Sequence, residues 1–416
     1  MGADAVTIVD GPTKRAPRRS EGRGDWSTWP QYESSSLGLP GRYWYPVLWS
    51  SQLRSKPLAR KLLGQDVMFV RENGRPYALR DRCPHRGVPL SYGDQQFPGT
   101  ISCPYHGWTF DLESGVMCAA ITDGPDSPLC NKVGVDTFPV AEQLGLVWIF
   151  IGPPGTLDDG EVPPIETAIP DELLRHDSAL GGNIEVRTGG WRFAAENGYD
   201  EGHAKYLHRN SLWRRFRLMP AWTKTRVVES DGDWITRVNT EVHWEADFPG
   251  LGIWSAKRWW KVGSGSKVLG LKPSEAANVD PIIASLDLPG QQSIRLPGLL
   301  RIVHRKFIHY EWYVPMDDDQ YRYVQMMVQF KRGFAAFLFK LRYAFFIRWV
   351  FHGQFSGEDK LMVDVMDAPP ERLYRPDVSI TSWRRICEQA PRHGQAVVAN
   401  GARPEGAADA SSPEPG

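Results

Sequence analysis

The sequence predicts an α+β protein, in which an all-β N-terminal domain precedes a domain built on a large antiparallel sheet covered by helices. Three observations carry this prediction. Short strands and turn signals dominate residues 41–155, a Pro/Gly/Asp-rich stretch occupies 153–164, and long strands mixed with helical segments follow it. We expect domains at 41–155 and 156–395, with a flexible arm at 1–40 and a disordered tail at 396–416, because both ends have low-complexity composition.

The strands of the first domain are recognised by apolar runs and by the turns between them. DVMFV (66–70) and PYALR (76–80) flank the dipeptide Asn73-Gly74, which is a strong signal for a tight hairpin. GLVWIFIG (145–152) reads as a further buried strand, and it ends at the Pro/Gly/Asp-rich stretch that we take as the domain boundary.

The second domain begins with a helical stretch at 191–209 and continues with two hairpins. Residues 223–244 read as two strands around an Asp-Gly turn, and residues 304–330 as two longer strands around MDDDQ. Residues 332–355 are helical in character, and SGEDKLMVDVMDAP (356–369) continues as a second helix. This order of elements predicts an antiparallel sheet that is covered by helices.

Composition excludes several classes of function. The 416 residues contain 49 Lys+Arg and 49 Asp+Glu, so there is no basic surplus for nucleic acid. The five cysteines are an odd number at irregular spacing, which does not suit a secreted disulfide framework. The N-terminus has no signal-peptide core, and no uncharged apolar run approaches the roughly 20 residues of a membrane span. We expect a cytoplasmic protein.

Two Cys/His pairs lie close together in the first domain. Cys83 and His85 stand in CPHRG, and Cys103 and His106 follow in CPYHGW after an interval of seventeen residues. Two Cys and two His suit either a tetrahedral zinc or a Rieske [2Fe–2S] cluster, in which the Cys bind one iron and the His the other. Each loop supplies one ligand of each kind, which favours the cluster. The three other cysteines have no matching partners, and we expect ordinary buried thiols: Cys118, Cys130 and Cys387.

A second set of metal-binding residue types lies in ENGYDEGHAKYLHRNS (196–211). Two His and a carboxylate on one face of an iron form the facial triad of non-haem Fe(II) oxygenases, with positions left open for O2 and substrate. His203 and His208 are five residues apart, so on a regular helix their side chains diverge by roughly 140°. They can share a metal only if the helix ends, bends or has a π-bulge, which we expect near 205–207.

From residue 41 to about 390 the chain resembles the catalytic α subunits of Rieske non-haem iron aromatic-ring-hydroxylating oxygenases. The likeness lies in CPHRG, CPYHGW, ENGYDEGH, IRLPGLL and YEWYVPMDDDQYRYVQ, and is strongest to the terminal oxygenase of the carbazole 1,9a-dioxygenase type. The resemblance implies a helix-grip (START-like) catalytic domain and an α3 homotrimer. One departure is the four-residue gap between His203 and His208, where carbazole-type enzymes have three.

The resemblance also implies roles for particular residues. Asp200 is expected to join a ligand His to a Rieske His of the neighbouring subunit, and Asn197 corresponds to a polar residue beside the iron. The third iron ligand is expected in an E-D segment with another acid five residues later. Glu358-Asp359 fits that pattern, so we predict Asp359 as the ligand. The remaining acids of this segment are expected on a solvated helix face or in contact with the ligands: Asp364 and Asp367.

The implied activity is that of a terminal oxygenase. Electrons from NAD(P)H would pass through a separate flavin reductase, with or without a ferredoxin, to the cluster and then to mononuclear non-haem Fe(II). There O2 would be used to hydroxylate a hydrophobic aromatic or polycyclic substrate, as in the catabolism of aromatic compounds. Residues 334–351 are unusually apolar, and we expect a core-packing helix, with peripheral membrane contact or a substrate access route as the alternative.

Other functions stay open at this point. An electron-transfer Rieske protein without catalytic iron would need only the first set of ligands. A hydrophobic-ligand-binding module is the second alternative, because sheet-and-helix domains of this kind also serve lipid carriers. An iron count near two rather than three per chain would favour either. Among oxygenases, the motifs do not separate a dioxygenase from a monooxygenase or demethylase of a non-aromatic substrate such as a steroid.

Overall fold

A computed structural model describes most of the chain between residues 38 and 390. The described ranges are 38–39, 41–124, 126–156, 160–208, 222–230, 234–243, 266–267, 291–304, 306–365, 372–374 and 377–390. The predicted tail at 396–416 and nearly all of the predicted arm at 1–40 lie outside them. Within that arm, Leu39 is described and is fully buried in a core with Trp191 and Trp383.

Strands between residues 43 and 151 form three small antiparallel sheets among the described residues. Their orders are β1-β10-β9, β2-β3-β4-β8 and β5-β6-β7. The strands are β1 (Tyr43–Trp49), β2 (Leu58–Leu62), β3 (Gln65–Glu72), β4 (Arg75–Arg80), β5 (Thr100–Ser102), β6 (Trp108–Asp111), β7 (Met117–Ala120), β8 (Thr137–Phe138), β9 (Val140–Gln143) and β10 (Leu146–Ile151). The predicted hairpin is confirmed: β3 pairs with β4, and Asn73 and Gly74 both have positive φ, 49° and 80°.

The described strands after residue 177 form one large antiparallel sheet. Its order is β11-β18-β17-β16-β15-β13-β12, with β14 paired to β13. The strands are β11 (Ser178–Thr188), β12 (Trp222–Ser230), β13 (Trp234–His243), β14 (Ser266–Lys267), β15 (Gln292–Arg295), β16 (Leu299–Val303), β17 (Ile308–Pro315) and β18 (Gln320–Phe330). Both predicted hairpins are confirmed, and the Asp-Gly turn of the first lies outside the described residues.

One face of this sheet packs against the N-terminal strands. Alternate residues of β17 (Ile308, Tyr310, Trp312, Val314) belong to a core that also contains β1 and β10. Trp312 meets Trp148 of β10 edge to face, with ring centroids 5.7 Å apart. The opposite face of the sheet is covered by helices, which carry the residues of the candidate site.

The helices that cover the sheet are interrupted next to the candidate ligands. They are α1 (Asp171–Leu174), α2 (Trp191–Tyr199), α3 (Glu201–Leu207), α4 (Gly333–Arg342), α5 (Ser356–Val365) and α6 (Val378–Glu388), with π-helical segments at Tyr343–Ile347 and Trp349–Phe355 between α4 and α5. The helix predicted at 191–209 is two helices, because Asp200 adopts an extended backbone between α2 and α3. The predicted interruption before His208 is confirmed, since α3 ends at Leu207.

The prediction of a core-packing helix at 334–351 is only partly right. One side packs on the sheet through Phe339, Tyr343 and Phe351. The other side is exposed, with Phe334 at 73% and Phe345 at 80% of full exposure. We call this exposed side the apolar face; it consists of Phe334, Phe337, Leu338, Leu341, Phe345, Phe346 and Trp349. Among the described residues, no helix is both long and apolar enough to cross a bilayer.

The predicted buried thiols also need one correction. Cys387 is buried, as expected, on α6. Cys118 is exposed and Cys130 is half-buried, so neither is a core residue. Cys118 lies on β7, a strand of four residues in a three-stranded sheet. Its side chain is on the face of this small sheet that is left exposed, opposite the face that packs in the core.

Candidate metal centres

The two Cys/His pairs lie on two loops of matching geometry. The first loop follows β4, and the second joins β5 to β6. In each loop a glycine N–H donates to the cysteine carbonyl four residues earlier, at 2.8 Å from Gly87 to Cys83 and 3.0 Å from Gly107 to Cys103. Both glycines have positive φ, 76° and 66°, which side-chain-bearing residues rarely adopt. The CPHRG and CPYHGW segments therefore form two similar tight turns.

The four side chains separate by type, as a cluster with two different irons requires. Cys83 and Cys103 are buried, at 1% and 3% exposure. Burial and the neighbouring Cys103 thiol raise the pKa of Cys83 to about 11, so metal binding is what would hold it as a thiolate. The rings of His85 and His106 lie nearer the surface, with centroids 4.5 Å apart. Paired inner thiols and paired outer imidazoles fit a Rieske [2Fe–2S] cluster.

The break between α2 and α3 positions Asp200 beside His203. The Asp200 carboxylate caps α3 and accepts hydrogen bonds from the backbone N–H groups of Gly202 (2.7 Å) and His203 (3.0 Å). It also lies 3.0 Å from His203 Nδ1. A carboxylate only accepts, so Nδ1 carries the proton and Nε2 keeps its lone pair for a metal. One half of the predicted role of Asp200 is thus visible within a single chain.

His203, His208 and Asp359 converge on one point. Asp359 Oδ1 lies 3.3 Å from His203 Nε2 and 3.1 Å from His208 Nε2. The three ligand atoms lie within 4.8 Å of one another. Ligand atoms bound at right angles about 2.1 Å from an ion are separated by roughly 3 Å, so these spacings suit a facial triad. Asp359 Oδ1 is buried and has no hydrogen-bond partner among the described residues, which fits an atom meant for a metal.

A second carboxylate, which the sequence did not reveal, orients the other histidine. Glu358 Oε2 lies 2.7 Å from His208 Nδ1, and the His208 ring is fully buried and stacked on Phe355 at 3.7 Å. Each imidazole therefore donates a hydrogen bond from its Nδ1–H to a carboxylate and directs Nε2 toward Asp359. The available signal was the pair Glu358-Asp359, since a ligand histidine needs an acceptor for its second nitrogen.

The carboxylates set the charge of the site. Burial opposes protonation of His203, but the hydrogen bond to Asp200 and the nearby Asp359 carboxylate outweigh it and raise its pKa to about 9. Burial likewise opposes ionisation of Asp359, but the two histidines lower its pKa well below the usual range. Without a cation the carboxylates thus attract a proton onto His203, and a metal ion satisfies the same negative charge.

The remaining predicted site residues do not converge with the three candidate iron ligands in the described part of the chain. Asn197 is half-buried on α2, where its carbonyl accepts from the Asp200 N–H at 3.2 Å, and its role beside the iron stays a prediction. Asp364 accepts a hydrogen bond from Thr188 Oγ1 at 2.7 Å and is a structural contact to the sheet. Asp367 lies outside the described residues.

Comparison with protein families gives two matches that together span most of the chain. The family described as Rieske [2Fe-2S] domain matches residues 43–137. The family described as homotrimeric ring hydroxylase matches residues 156–396, which is more than half of the 416 residues. The two sets of candidate ligands fall one in each match.

Known proteins resemble the chain over nearly its whole length. The terminal oxygenase component of carbazole 1,9a-dioxygenase from a Sphingomonas species is 30% identical over 385 residues, covering 88% of this chain and 95% of the relative. The carbazole 1,9a-dioxygenase terminal oxygenase from Nocardioides aromaticivorans IC177 has TM-score 0.69 and 27% identity, with coverages of 87% and 97%. A reduced complex between oxygenase and ferredoxin in carbazole 1,9a-dioxygenase has TM-score 0.69 and 26% identity, with coverages of 87% and 92%. The chain therefore belongs to the homotrimeric ring hydroxylases, Rieske-type oxygenases that join a [2Fe–2S] domain to a catalytic domain for non-haem iron.

Proposed function

We propose that this chain is the terminal oxygenase of a multicomponent system that hydroxylates a hydrophobic aromatic or polycyclic substrate with O2. The observation that carries the proposal is the convergence of His203, His208 and Asp359, with both imidazoles oriented by carboxylates. Neither an electron carrier nor a ligand-binding module requires a second metal site with three convergent ligands. The carbazole-type relatives support an aromatic or polycyclic substrate.

The candidate ligands divide between two centres. Cys83, His85, Cys103 and His106 would hold the Rieske cluster, and His203, His208 and Asp359 would hold the ferrous ion. When bound, the cluster supplies electrons one at a time and the ferrous ion supplies open coordination positions for O2. Three protein ligands on one side of an ion leave the opposite side available, which is the geometric requirement for oxygen and substrate to meet.

The protein side chains fix protons and ring directions around the ion. Asp200 and Glu358 hold the Nδ1 protons of the two histidines, so neither ring can turn its protonated nitrogen toward the metal. Asp359 contributes the negative charge. Because His208 is fully buried against Phe355, water has little access from that side.

We infer that Asp200 also accepts a hydrogen bond from a Rieske histidine of the neighbouring subunit in the homotrimer. Its side chain retains 15% exposure, so an acceptor position is reachable from outside the chain. His85 and His106 lie toward the surface of their own domain, as a contact between subunits requires. Asp200 would then connect the two centres through hydrogen bonds alone.

The electron donor is a ferredoxin, a flavin reductase or both, with NAD(P)H as the original source. A solved oxygenase–ferredoxin complex of a carbazole 1,9a-dioxygenase supports the ferredoxin. We place the enzyme in the cytoplasm, because its buried thiols must stay reduced to bind a cluster and a reducing compartment keeps them so.

Iron analysis tests the proposal. Anaerobic reconstitution with iron and sulfide should give about three irons per chain, two in the cluster and one mononuclear. His203→Ala should lose about one iron and keep the visible spectrum of the cluster. His176→Ala is the matched control, because His176 is exposed and distant in sequence from both centres. A wild-type content near two, or retention of the third iron without His203 and His208, would contradict the proposal.

Product analysis with labelled O2 then identifies the reaction. A panel of aromatic and polycyclic compounds is incubated with the enzyme, a reductase and a ferredoxin. Incorporation of both labelled atoms indicates dioxygenation, and incorporation of one indicates monooxygenation or demethylation. Consumption of O2 without any labelled product would mean that the substrate class is wrong while the iron site is intact.

A further inference from the structure

The helix-covered side of strand β17 carries polar residues where an apolar core would be expected. Residues of a strand point alternately to its two faces, and all eight residues of β17 are buried. The face toward the N-terminal domain is apolar, as described above. The other face presents His309, Glu311 and Tyr313 toward the helices that cover the sheet.

Gln325 of β18 joins these residues because it lies directly opposite Glu311 in the sheet. His309 and Gln325 are both fully buried, at 0% exposure. Among the described residues, neither ring nitrogen of His309 and neither amide atom of Gln325 has a hydrogen-bond partner. Glu311 Oε1 is 3.3 Å from His309 Nδ1, but the direction does not make a hydrogen bond.

His352 approaches the same region from the π-helical segment Trp349–Phe355. Its ring centroid is 6.1 Å from that of His309. Its Nε2 pairs with the Tyr343 hydroxyl at 2.7 Å, while Nδ1 is buried and without a partner in the part of the chain that the structure describes. We call His309, Gln325 and His352 the polar cluster. It combines unpartnered atoms from the sheet with one from the helix above it.

Aromatic contacts link the polar cluster to the iron-binding residues. The His309 ring meets Phe351 edge to face at 4.4 Å, Phe351 stacks on Phe355 at 5.4 Å, and Phe355 stacks on His208 at 3.7 Å. The cluster and the iron ligands therefore lie beneath one continuous helical segment, two aromatic side chains apart. The three ring contacts limit the distance between the His309 and His208 centroids to at most about 13.5 Å, a span that two or three fused or linked rings can cover.

The energetics favour a ligand as the reason for these polar side chains. A buried donor or acceptor without a partner costs about 1–3 kcal/mol, whereas apolar replacements of the same shape cost little or stabilise the fold. A plain hydrocarbon beneath the helices would leave this cost in place. A substrate with a hydrogen-bonding group would remove part of it.

The cluster is suited to an uncharged group. Burial, together with the neighbouring His352 and His304, lowers the pKa of His309 well below its usual value. Burial and the positive charges of Arg187 and Arg348 lower the pKa of His352 to about 3. At neutral pH each imidazole therefore has one donor and one acceptor nitrogen, and Gln325 likewise offers both functions without charge.

We propose that the polar cluster recognises an uncharged hydrogen-bonding group, such as a hydroxyl or a carbonyl, on the part of the substrate that lies away from the oxidised carbon. This inference rests on the proposed function and narrows its substrate class. The substrate is an aromatic or polycyclic compound that bears such a group about two rings from the position of attack, not a plain hydrocarbon.

Equilibrium binding of four biphenyls to the iron-loaded trimer tests the proposal. The compounds are biphenyl, 4-hydroxybiphenyl, 4-acetylbiphenyl and biphenyl-4-carboxylate, and binding is followed anaerobically without an electron donor by tryptophan fluorescence. They share one rigid skeleton and differ only in the end group. We expect the hydroxyl and acetyl compounds to bind about 10-fold more tightly than biphenyl, the effect of one good hydrogen bond. The carboxylate should bind no more tightly than biphenyl.

Two variants assign the preference to the cluster. His309→Leu and Gln325→Leu should each remove most of the preference for the polar compounds and leave the affinity for biphenyl equal or higher. Gln329→Leu is the matched control, because Gln329 is half-buried on the same side of β18 and four residues farther along. In the ligand-free protein, both cluster variants should keep or raise the melting temperature, since each removes unpartnered buried polar atoms.

Three results would overturn the proposal: equal affinities for biphenyl and its uncharged polar derivatives, no binding by any of the four, or a preference that survives both substitutions. A melting temperature lowered by both variants would mean that the cluster is structural. Iron analysis distinguishes these results from failure of the proposed function. In that case the wild-type chain would hold only two irons, whichever biphenyls it binds.

Discussion

Replacing Glu358 by Gln removes the negative charge that holds the Nδ1 proton of His208. The bond from His208 Nδ1 to Glu358 Oε2 is 2.7 Å long, and His208 is fully buried. A hydrogen bond to a charged group contributes about 1.5–3 kcal/mol. We therefore expect Glu358→Gln to bind ferrous ion about 10- to 100-fold more weakly, the range for a residue that orients a ligand histidine. The [2Fe–2S] cluster, in the other domain, should be unaffected.

Competition with a ferrous chelator under anaerobic conditions measures this effect on the reconstituted trimer. The variant should give up its mononuclear iron at a correspondingly lower chelator concentration, while the visible spectrum of the cluster stays constant. Asp364→Asn is the control, because Asp364 lies on the same helix but bonds to Thr188. Wild-type iron retention in Glu358→Gln would refute the orienting role, and an equal loss in Asp364→Asn would show that the effect is not specific to His208.

Three further experiments test the fold and its surface. His352 is neutral in the folded protein, whereas in the unfolded chain it becomes protonated below its ordinary pKa of 6.5. Its contribution to the free energy of unfolding is therefore complete above pH 6.5 and is lost as the pH falls. In urea unfolding, His352→Phe should lessen the drop in the free energy of unfolding between neutral pH and pH 5 by about 2 kcal/mol. Arg384→Met breaks the buried pair with Glu196 (2.6 and 2.8 Å) and should destabilise the protein by about 3–5 kcal/mol in urea, most of it recovered by adding Glu196→Leu. Residues 331–349, which include the apolar face, contain basic but no acidic residues. The wild type should therefore co-sediment with anionic vesicles, and the double variant Phe345→Glu/Phe346→Glu should not. A wild type that stays in the supernatant would mean that the apolar face is covered in the trimer.

Local chemistry explains why much of the site could be predicted from the sequence. Each Cys/His pair lies within a few residues of one loop, and the glycines that close the loops are part of the same motif. His203 and His208 are likewise neighbours, and their spacing alone required an end or a bend in the helix. The choice of Asp359 came from a family pattern, and the structure places its carboxylate between both imidazoles.

Features that depend on distant contacts could not be predicted in this way. The partnership of His208 with Glu358 joins residues 150 positions apart. The exposure of Phe345 depends on which side of its helix meets the sheet, and an apolar composition all round does not reveal that side. The break at Asp200 left a readable signal, since Asp is a preferred helix cap, but the regular-helix interpretation overlooked it. The domain limits and the mobility of the two ends stay predictions.

The two faces of strand β17 contact different parts of the protein, so their residues can be substituted independently. Even-numbered residues contact the N-terminal domain and odd-numbered residues face the helices, so a substitution at His309 leaves the apolar contacts between the domains in place. The same arrangement makes the strand intolerant of indels. One residue added or deleted within it would exchange the two sets and turn the polar side chains toward the N-terminal domain.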